Sequence, residues 1–382
     1  MNVLHVVDRW PAGPLSFIRE QLVCAEDRRD AVLAATELPG VPGLAAPDDR
    51  LEAARSGGRR SMVERAWRDR GGFQRHARRL ARAAQRATEQ RNADVVHAHF
   101  GPIGAELAAG GLRRPFVTTF YGADVSQSMR KARWRARYAV LARRPGRAIV
   151  LCEAARDRLR SAGFEDDQVF VERLAIDFSR YPKLEPPDPS PELRLVCAAR
   201  FVEKKGHDDL LRAFAIVARE RPARLRLLGY GPDAGRIVAL AASLGVSERV
   251  SLLDTSGVPD FDAVFLAALR DADMFVLASR EAADGDDEGG PALTAVAAQA
   301  AGVPIVVTSY PGSEQHVENL KTGTVVPQQA PQALADAILR VAADLPRAGT
   351  MVALAAGMVR ADFSREQLLA AMRTHYERVA GR

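Results

Sequence analysis

Short apolar runs recur along the chain, separated by segments of helical length, and the pattern predicts an alternation of strands and helices. Val3–Val7, Ala31–Ala35, Val95–Gly101, Phe116–Phe120, Ala148–Cys152 and Val169–Glu172 read as buried strands. A helix is expected over Leu15–Cys24, another over Ser61–Arg91 and a third from Gly101 to Gly110, with a Pro-, Gly- and Asp-rich loop over Thr36–Gly58. After Tyr181–Glu192 (YPKLEPPDPSPE), whose clustered prolines read as a linker, a second alternation begins. Its strands are Leu193–Ala198, Leu225–Leu228, Val250–Leu253, Met274–Leu277, Val303–Val307 and Gly323–Val326. Strands that alternate with helices imply parallel sheets with right-handed crossovers. The expected fold class is therefore α/β, two Rossmann-like doubly wound domains facing across a cleft. The expected bounds are residues 1–181, a linker over 182–192, residues 193–363, and a final amphipathic helix over 364–382. That helix is opened by a Ser364-x-x-Gln367 capping box and returns toward the first domain.

The chemistry concentrates in Ser279–Thr308, SREAADGDDEGGPALTAVAAQAAGVPIVVT. This reads as the end of a strand, an acidic Gly-rich loop, a helix and another strand. Pro291 suits the first helical position and Gly302 the left-handed stop. A helix that starts beyond a parallel strand leaves its first N–H groups unpaired, at the positive end of its dipole. An anionic ligand, a diphosphate by preference, is expected against Gly289, Gly290, Leu293 and Thr294, with Pro291 beside it. The alternative is an ordinary strand–helix turn with no ligand. Gly13 in the loop after the first strand, and Gly229-Tyr230-Gly231 after the second strand of the second half, are weaker nucleotide-turn signals.

Length and charge change the picture only a little. The chain has 382 residues, a length that suits two domains, and a net charge of +6 carried mostly by arginine. The Arg-dense segment 61–91, with Trp67 and Phe73 interleaved, reads as a solvated face or as a basic surface for acidic lipid at the inner membrane face; no motif supports nucleic acid. Cys24, Cys152 and Cys197 are odd in number, lack metal-type spacing and fit core thiols in a reducing compartment. With no signal-peptide pattern and no apolar run of spanning length, a cytoplasmic protein is expected, peripheral to a membrane at most.

Taken in order, His97-Ala-His99-Phe-Gly101, Tyr121-Gly122-Ala-Asp124, Ala175-Ile-Asp177, Arg200-Phe-Val-Glu-Lys-Lys205-Gly206, Gly229-x-Gly231-Pro232, the acidic run to Glu288-Gly-Gly-Pro291 and Gly302-Val-Pro-Ile-Val-Val-Thr308 resemble a known family. It is that of the GT-B retaining glycosyltransferases of family 4, in particular the branch that builds exopolysaccharides such as colanic acid and amylovoran. The resemblance implies a nucleoside-diphosphate sugar, a UDP-sugar first among them, held mainly by the second domain, with no cofactor and no metal. The acceptor is held by the first: a lipid-linked saccharide, a natural product or a peptide. Arg200 and Lys205 match the basic pair on the donor diphosphate and Glu288 the first of the family's paired glutamates, near the donor sugar. Tyr121 takes the place of the family histidine on the donor side, and His99 and Asp124 lie on the acceptor side. The second glutamate falls on Val296, and the late acidic position on Gln315, one residue after Glu314. His99 and His316 are weighed as hydrogen-bonded structural histidines against catalysts. These departures motivate a rival reading, a non-catalytic GT-B partner of another glycosyltransferase. A dinucleotide-dependent oxidoreductase, resting on Gly229-x-Gly231 alone, is a third.

Overall fold

In a computed structural model that describes residues 1–9, 31–36, 72–185 and 190–382, the apolar runs form two separate parallel sheets, one in each of two compact units. The first unit takes in Met1–Leu174 and Leu368–Arg382, the second Ala175–Gln367.

The sheet of the first unit holds β1 (Val3–Arg9), β2 (Ala31–Thr36), β3 (Val95–His99), β4 (Phe116–Thr119), β5 (Gly146–Val150) and β6 (Val169–Val171), in the order β2-β1-β3-β4-β5-β6. Val95, Val96, Val117, Ile149 and Val150 are essentially without exposed surface. Parallel strands covered on both faces carry near-continuous apolar sequence, which is why these runs do not alternate. The helix Phe73–Arg91 presents Ala77, Leu80, Ala81, Ala84 and Ala87 to the core and ends at Asn92, whose φ of 51° is left-handed. Arg78, Arg79, Arg82 and Arg86 recur at helical spacing on its exposed side. The final helix, Arg365–Val379, has its Ser364 Oγ accepting from the Gln367 N–H at 3.3 Å. Within the first unit, its Tyr376 Oη lies 2.7 Å from His97 Nδ1 and its His375 Nε2 2.7 Å from Glu172 Oε1.

The sheet of the second unit holds β7 (Leu193–Ala198), β8 (Ala223–Gly229), β9 (Val250–Asp254), β10 (Met274–Leu277), β11 (Ile305–Thr308) and β12 (Thr324–Val326), in the order β12-β11-β10-β7-β8-β9. The chain steps outward from β7 to β9, returns, and steps the other way from β10 to β12. β7 and β10 are therefore neighbours, paired Met274 to Leu195 and Phe275 to Val196, with connections that leave in opposite directions. The loops beyond their carboxyl ends must part, and ligands of open α/β sheets sit in that crevice.

The proline-rich stretch is partly docked rather than free. Tyr181 is buried in the core of the second unit and its Oη donates to Asp262 Oδ1 (2.7 Å), while the Leu184 N–H donates to the Ala301 carbonyl (2.8 Å). The division between the units accordingly falls before the prolines, at Leu174 and Ala175. Thr36, expected to open a loop, is the last residue of β2; residues 37–58 of that loop, residues 186–189, the expected helix Leu15–Cys24, Gly13, Cys24 and Trp67 lie outside the described residues. Cys152 and Cys197 are buried, and burial pushes the Cys197 thiol up to about 12. Among the described residues no helix is long and apolar enough to cross a membrane.

Candidate functional site

The switch point of the second unit carries the predicted cationic and acidic residues. The turn after β7 contains Arg200 and a single 3₁₀ turn, Glu203–Lys205; the loop after β10 contains Ser279 and Glu288. Lys205 Nζ and Ser279 Oγ both donate to Glu288 Oε1, each at 2.5 Å. The Lys205 and Glu288 side chains are only 13% and 8% exposed. Burial by itself would raise the Glu288 carboxyl, but the Lys205 and Lys204 ammonium groups and the two hydrogen bonds bring it below its ordinary value. Burial holds Lys205 below the usual lysine range, against the attraction of Glu288 and helped by the nearby charges of Lys204 and Arg200. The pair is thus largely buried and anchored through one carboxylate oxygen. Arg200 is exposed and forms no ion pair among the described residues; its charge is felt at both Lys205 and Tyr230.

The helix beyond the loop is Leu293–Ala300. Pro291 is not its first residue: Ala292, at φ −78° and ψ 107°, is the N-cap, and its carbonyl accepts from the Ala295 N–H at 2.9 Å. Pro291 lies instead one residue ahead of the cap. Gly302 follows the helix at φ 85°, with its N–H on the Gln299 carbonyl and that of Val303 on Ala298, both at 3.0 Å. The N–H groups of Gly289, Gly290, Leu293 and Thr294 find no acceptor among the described residues. N–H groups left open at the start of a helix are the kind of donors that anions take.

A dry network supports that helix from beneath. Tyr310 Oη lies 2.7 Å from His316 Nε2, and His316 Nδ1 lies 2.9 Å from Gln299 Oε1. Gln299 Nε2 donates to the carbonyls of His316 and Thr322, so its Oε1 is the acceptor end. His316 therefore carries its proton on Nδ1 and accepts the tyrosine hydroxyl at Nε2. It is a structural histidine, wholly buried, and burial depresses it to about 3.

Several expected site residues are placed differently. Val296 has no exposed surface and belongs to the core of the second unit, because a valine on the inner face of a short helix is drawn into that core. It is not on a surface that a ligand can reach. Gly229 and Gly231 answer to the protein's own backbone: a Cβ at Gly229 would lie 2.0 Å from the Ala199 carbonyl oxygen, and one at Gly231 2.3 Å from that of Phe201. Tyr230 between them is half-buried and holds the Phe201 N–H on its carbonyl at 2.8 Å. Glu314, one residue before the expected acidic position, accepts from the Gly312 N–H at 2.9 Å.

In the first unit Tyr121, His99 and Asp124 gather at the carboxyl ends of β3 and β4, but as interior groups. Asp124 accepts the N–H of Gly101 (2.8 Å) on one oxygen and of Tyr121 (2.7 Å) on the other, tying the two loops together. Burial raises its carboxyl to about 6 despite these donors. Tyr121 Oη lies 2.7 Å from His99 Nδ1, and His99 Nε2 lies 3.0 Å from His5 Nδ1. Asp124 and His99 are therefore hydrogen-bonded interior groups beyond the two central strands. His5, His97 and His99 bring ring nitrogens within 4.8 Å of one another. Both nitrogens of His97 and both of His99 are already hydrogen-bonded, those of His97 to Tyr376 and Thr119, and the two rings stack 4.1 Å apart. Burial first, then the neighbouring imidazoles, hold His97 and His99 well below the usual histidine range.

Sequence reasoning passed over Ser279, Lys204, Tyr310 and Tyr376. Ser279 stands two residues after the predicted strand Met274–Leu277 and Lys204 directly precedes Lys205, so position offered a clue for both. Nothing local marks Tyr310 or Tyr376, whose partners are set by packing.

The family described as "Glycosyl transferases group 1" matches residues 185–352, and that described as "Glycosyltransferase Family 4" matches residues 41–180. A Salmonella typhimurium protein assigned as the colanic acid biosynthesis glycosyltransferase WcaL is 34% identical over 250 residues, 64% of this chain and 60% of that protein. The chain thus spans about 60% of the length of this curated relative. Among solved structures, sucrose-phosphate synthase from Thermosynechococcus elongatus superposes with a TM-score of 0.77 at 17% identity, covering 100% of this chain and 99% of that one. The Anabaena protein HepE, in complex with UDP and glucose, does so with a TM-score of 0.71 at 16% identity, covering 97% and 98%.

Proposed function

The chain belongs to the family 4, group 1 glycosyltransferases, and from that premise we propose that it transfers a sugar from a nucleoside-diphosphate sugar to an acceptor hydroxyl with retention at the anomeric carbon. One observation carries the reading. Arg200, Lys205 and the N–H groups of Gly289, Gly290, Leu293 and Thr294, which find no acceptor among the described residues, all lie on the segments that leave β7 and β10 at the switch point, the last two opening the helix Leu293–Ala300.

The chemistry follows from where charge grows. As the bond from the anomeric carbon to the diphosphate breaks, negative charge develops on the departing phosphate oxygen. Fixed cations and N–H donors stabilise that charge without reorganising. Glu288 spends Oε1 on Lys205 and Ser279, which leaves Oε2 to accept from a sugar hydroxyl. The acceptor oxygen bonds to the same face of the anomeric carbon and its proton passes to the departing diphosphate, so the step needs no protein nucleophile.

Incubating the pure chain with UDP-, GDP-, dTDP- and ADP-sugars, and following each intact donor by mass spectrometry, tests this. One donor is expected to be consumed with release of its nucleoside diphosphate. Consumption of none, together with no calorimetric binding of any nucleoside diphosphate, would instead favour a non-catalytic partner protein. UDP-sugars are the first class to try, since UDP occupies the HepE structure.

Membrane contact is a separate part of the proposal. Arg78, Arg79, Arg82 and Arg86 are exposed on one helix face and form no ion pair among the described residues. Flotation with phosphatidylcholine vesicles, with and without phosphatidylglycerol, should show binding only to the anionic ones. Changing the four arginines to glutamine should weaken that binding at least about 100-fold, at about 1 kcal/mol for each cation near an anionic surface. Equal binding to both vesicles would remove the idea.

A further inference from the structure

The turn after β7 and the loop after β10 are laced together residue by residue. Glu203 Oε1 accepts from the Ala283 N–H at 3.0 Å, and the Lys204 carbonyl accepts from the Arg280 N–H at 2.8 Å. Lys205 donates to Glu288 at 2.5 Å. The Arg280 guanidinium anchors the start of the loop to Asp208 and Asp209, at 3.1 and 3.0 Å, in the first turn of the helix His207–Glu220. Between these contacts lies the Lys204 side chain, 6% exposed, whose ammonium donates to Asp286 Oδ1 at 3.0 Å and to the Asp287 carbonyl at 2.7 Å.

Burying an ammonium costs it hydration, and a lysine that needed only a counter-charge would keep its head in water. The contact with the Asp287 carbonyl does something a surface ion pair does not. A trans peptide holds its C=O and N–H in opposite directions. With the Asp287 carbonyl turned onto Lys204, the Glu288 N–H in the same peptide plane faces away from it. The next residue, Gly289, has φ 64°, the left-handed conformation found where successive N–H groups turn to a common side and cup an anion. The N–H groups of Glu288, Gly289 and Gly290 find no acceptor among the described residues.

We propose that Lys204 is a positioning residue. It holds the Asp287–Glu288 peptide so that the N–H groups of residues 288–290 form a cradle for the donor diphosphate, while Lys205 and Arg200 supply the charge. The inference rests on the donor-site reading above.

Calorimetry on the full chain separates the two. Of UDP, GDP, dTDP and ADP, the diphosphate bound tightest by the wild type is compared with its own monophosphate. Lys204→Met is expected to reduce the preference for diphosphate over monophosphate at least about tenfold, with monophosphate affinity kept within about threefold. A merely structural role would weaken both nucleotides alike. If the single variant does not fold, Lys204→Met with Asp286→Asn removes both members of that ion pair together and carries the same expectation. An unchanged preference in the folded variant overturns the role of Lys204 alone. A wild-type chain that binds none of the four diphosphates overturns the donor-site reading, and this inference with it.

Discussion

Lys205→Met is expected to lower the rate of sugar transfer by about 100- to 1,000-fold, the loss that accompanies removal of one fixed group facing transition-state charge. The same substitution strands the Glu288 carboxylate, which is 8% exposed and shares its Oε1 between Lys205 and Ser279. Removing one partner of a buried pair costs about 3–5 kcal/mol because the other charge is left uncompensated. The single variant should therefore be both slow and less stable. Lys205→Met with Glu288→Gln separates stability from rate: the amide no longer needs a cation, so most of the stability should return, while the rate stays low because two groups of the donor site are now changed. Turnover of the preferred donor and the thermal midpoint, measured on wild type and both variants, decide it. A double variant that regains the wild-type rate would mean that the Lys205 ammonium has no part in the transfer step. Arg200→Ala is the cleaner counterpart, since an exposed guanidinium with no ion pair among the described residues leaves nothing stranded.

Stability of the second unit is expected to fall steeply below about pH 6.5. Burial lowers His207 from 6.5 to about 4 and His316 from 6.5 to about 3. Between those values and 6.5 the unfolded chain binds protons that the folded unit refuses. Stability therefore rises with pH across the window and is lost as pH falls through it. Each histidine contributes up to about 1.4 kcal/mol per pH unit, so near pH 4 the two together cost about 6 kcal/mol, most of a typical domain's stability. The depressed Glu288 acts in the same direction at still lower pH, while the raised Asp209 opposes it. In the first unit His97 and His99 shift the same way as His316. Asp124, raised to about 6, works against them: the folded unit holds that proton more tightly than the unfolded chain, so its contribution weakens between about pH 4 and 6. Urea unfolding at a series of pH values, followed through separate probes of each unit, measures these slopes. His316→Gln should flatten the second unit's profile by about 1.4 kcal/mol per pH unit. A profile that is level between pH 7 and 5 would contradict the burial of these imidazoles.

The strands, their parallel pairing and the two-unit plan were legible in the sequence, because a strand buried on both faces has to be apolar throughout and needs a helix to return to its start. The runs Val95–Val96, Phe116–Val117 and Met274–Leu277 could belong to nothing else. Gly302 was legible too, since its φ of 85° is a local demand that only its own residue type meets cheaply. What stayed hidden is what depends on neighbours distant in the chain. Sequence places Val296 near the donor and Asp124 near the acceptor, but only packing reveals that one is sealed in a core and the other is occupied by the N–H groups of Gly101 and Tyr121. The pairings of Lys204 with the Asp287 carbonyl, 83 residues away, and of Tyr376 with His97, 279 away, rest on no spacing rule. A local pattern records which surface each residue prefers; which partner meets it there is decided when sheets and loops close on one another, and that closure is where Lys205 and Glu288 become a pair.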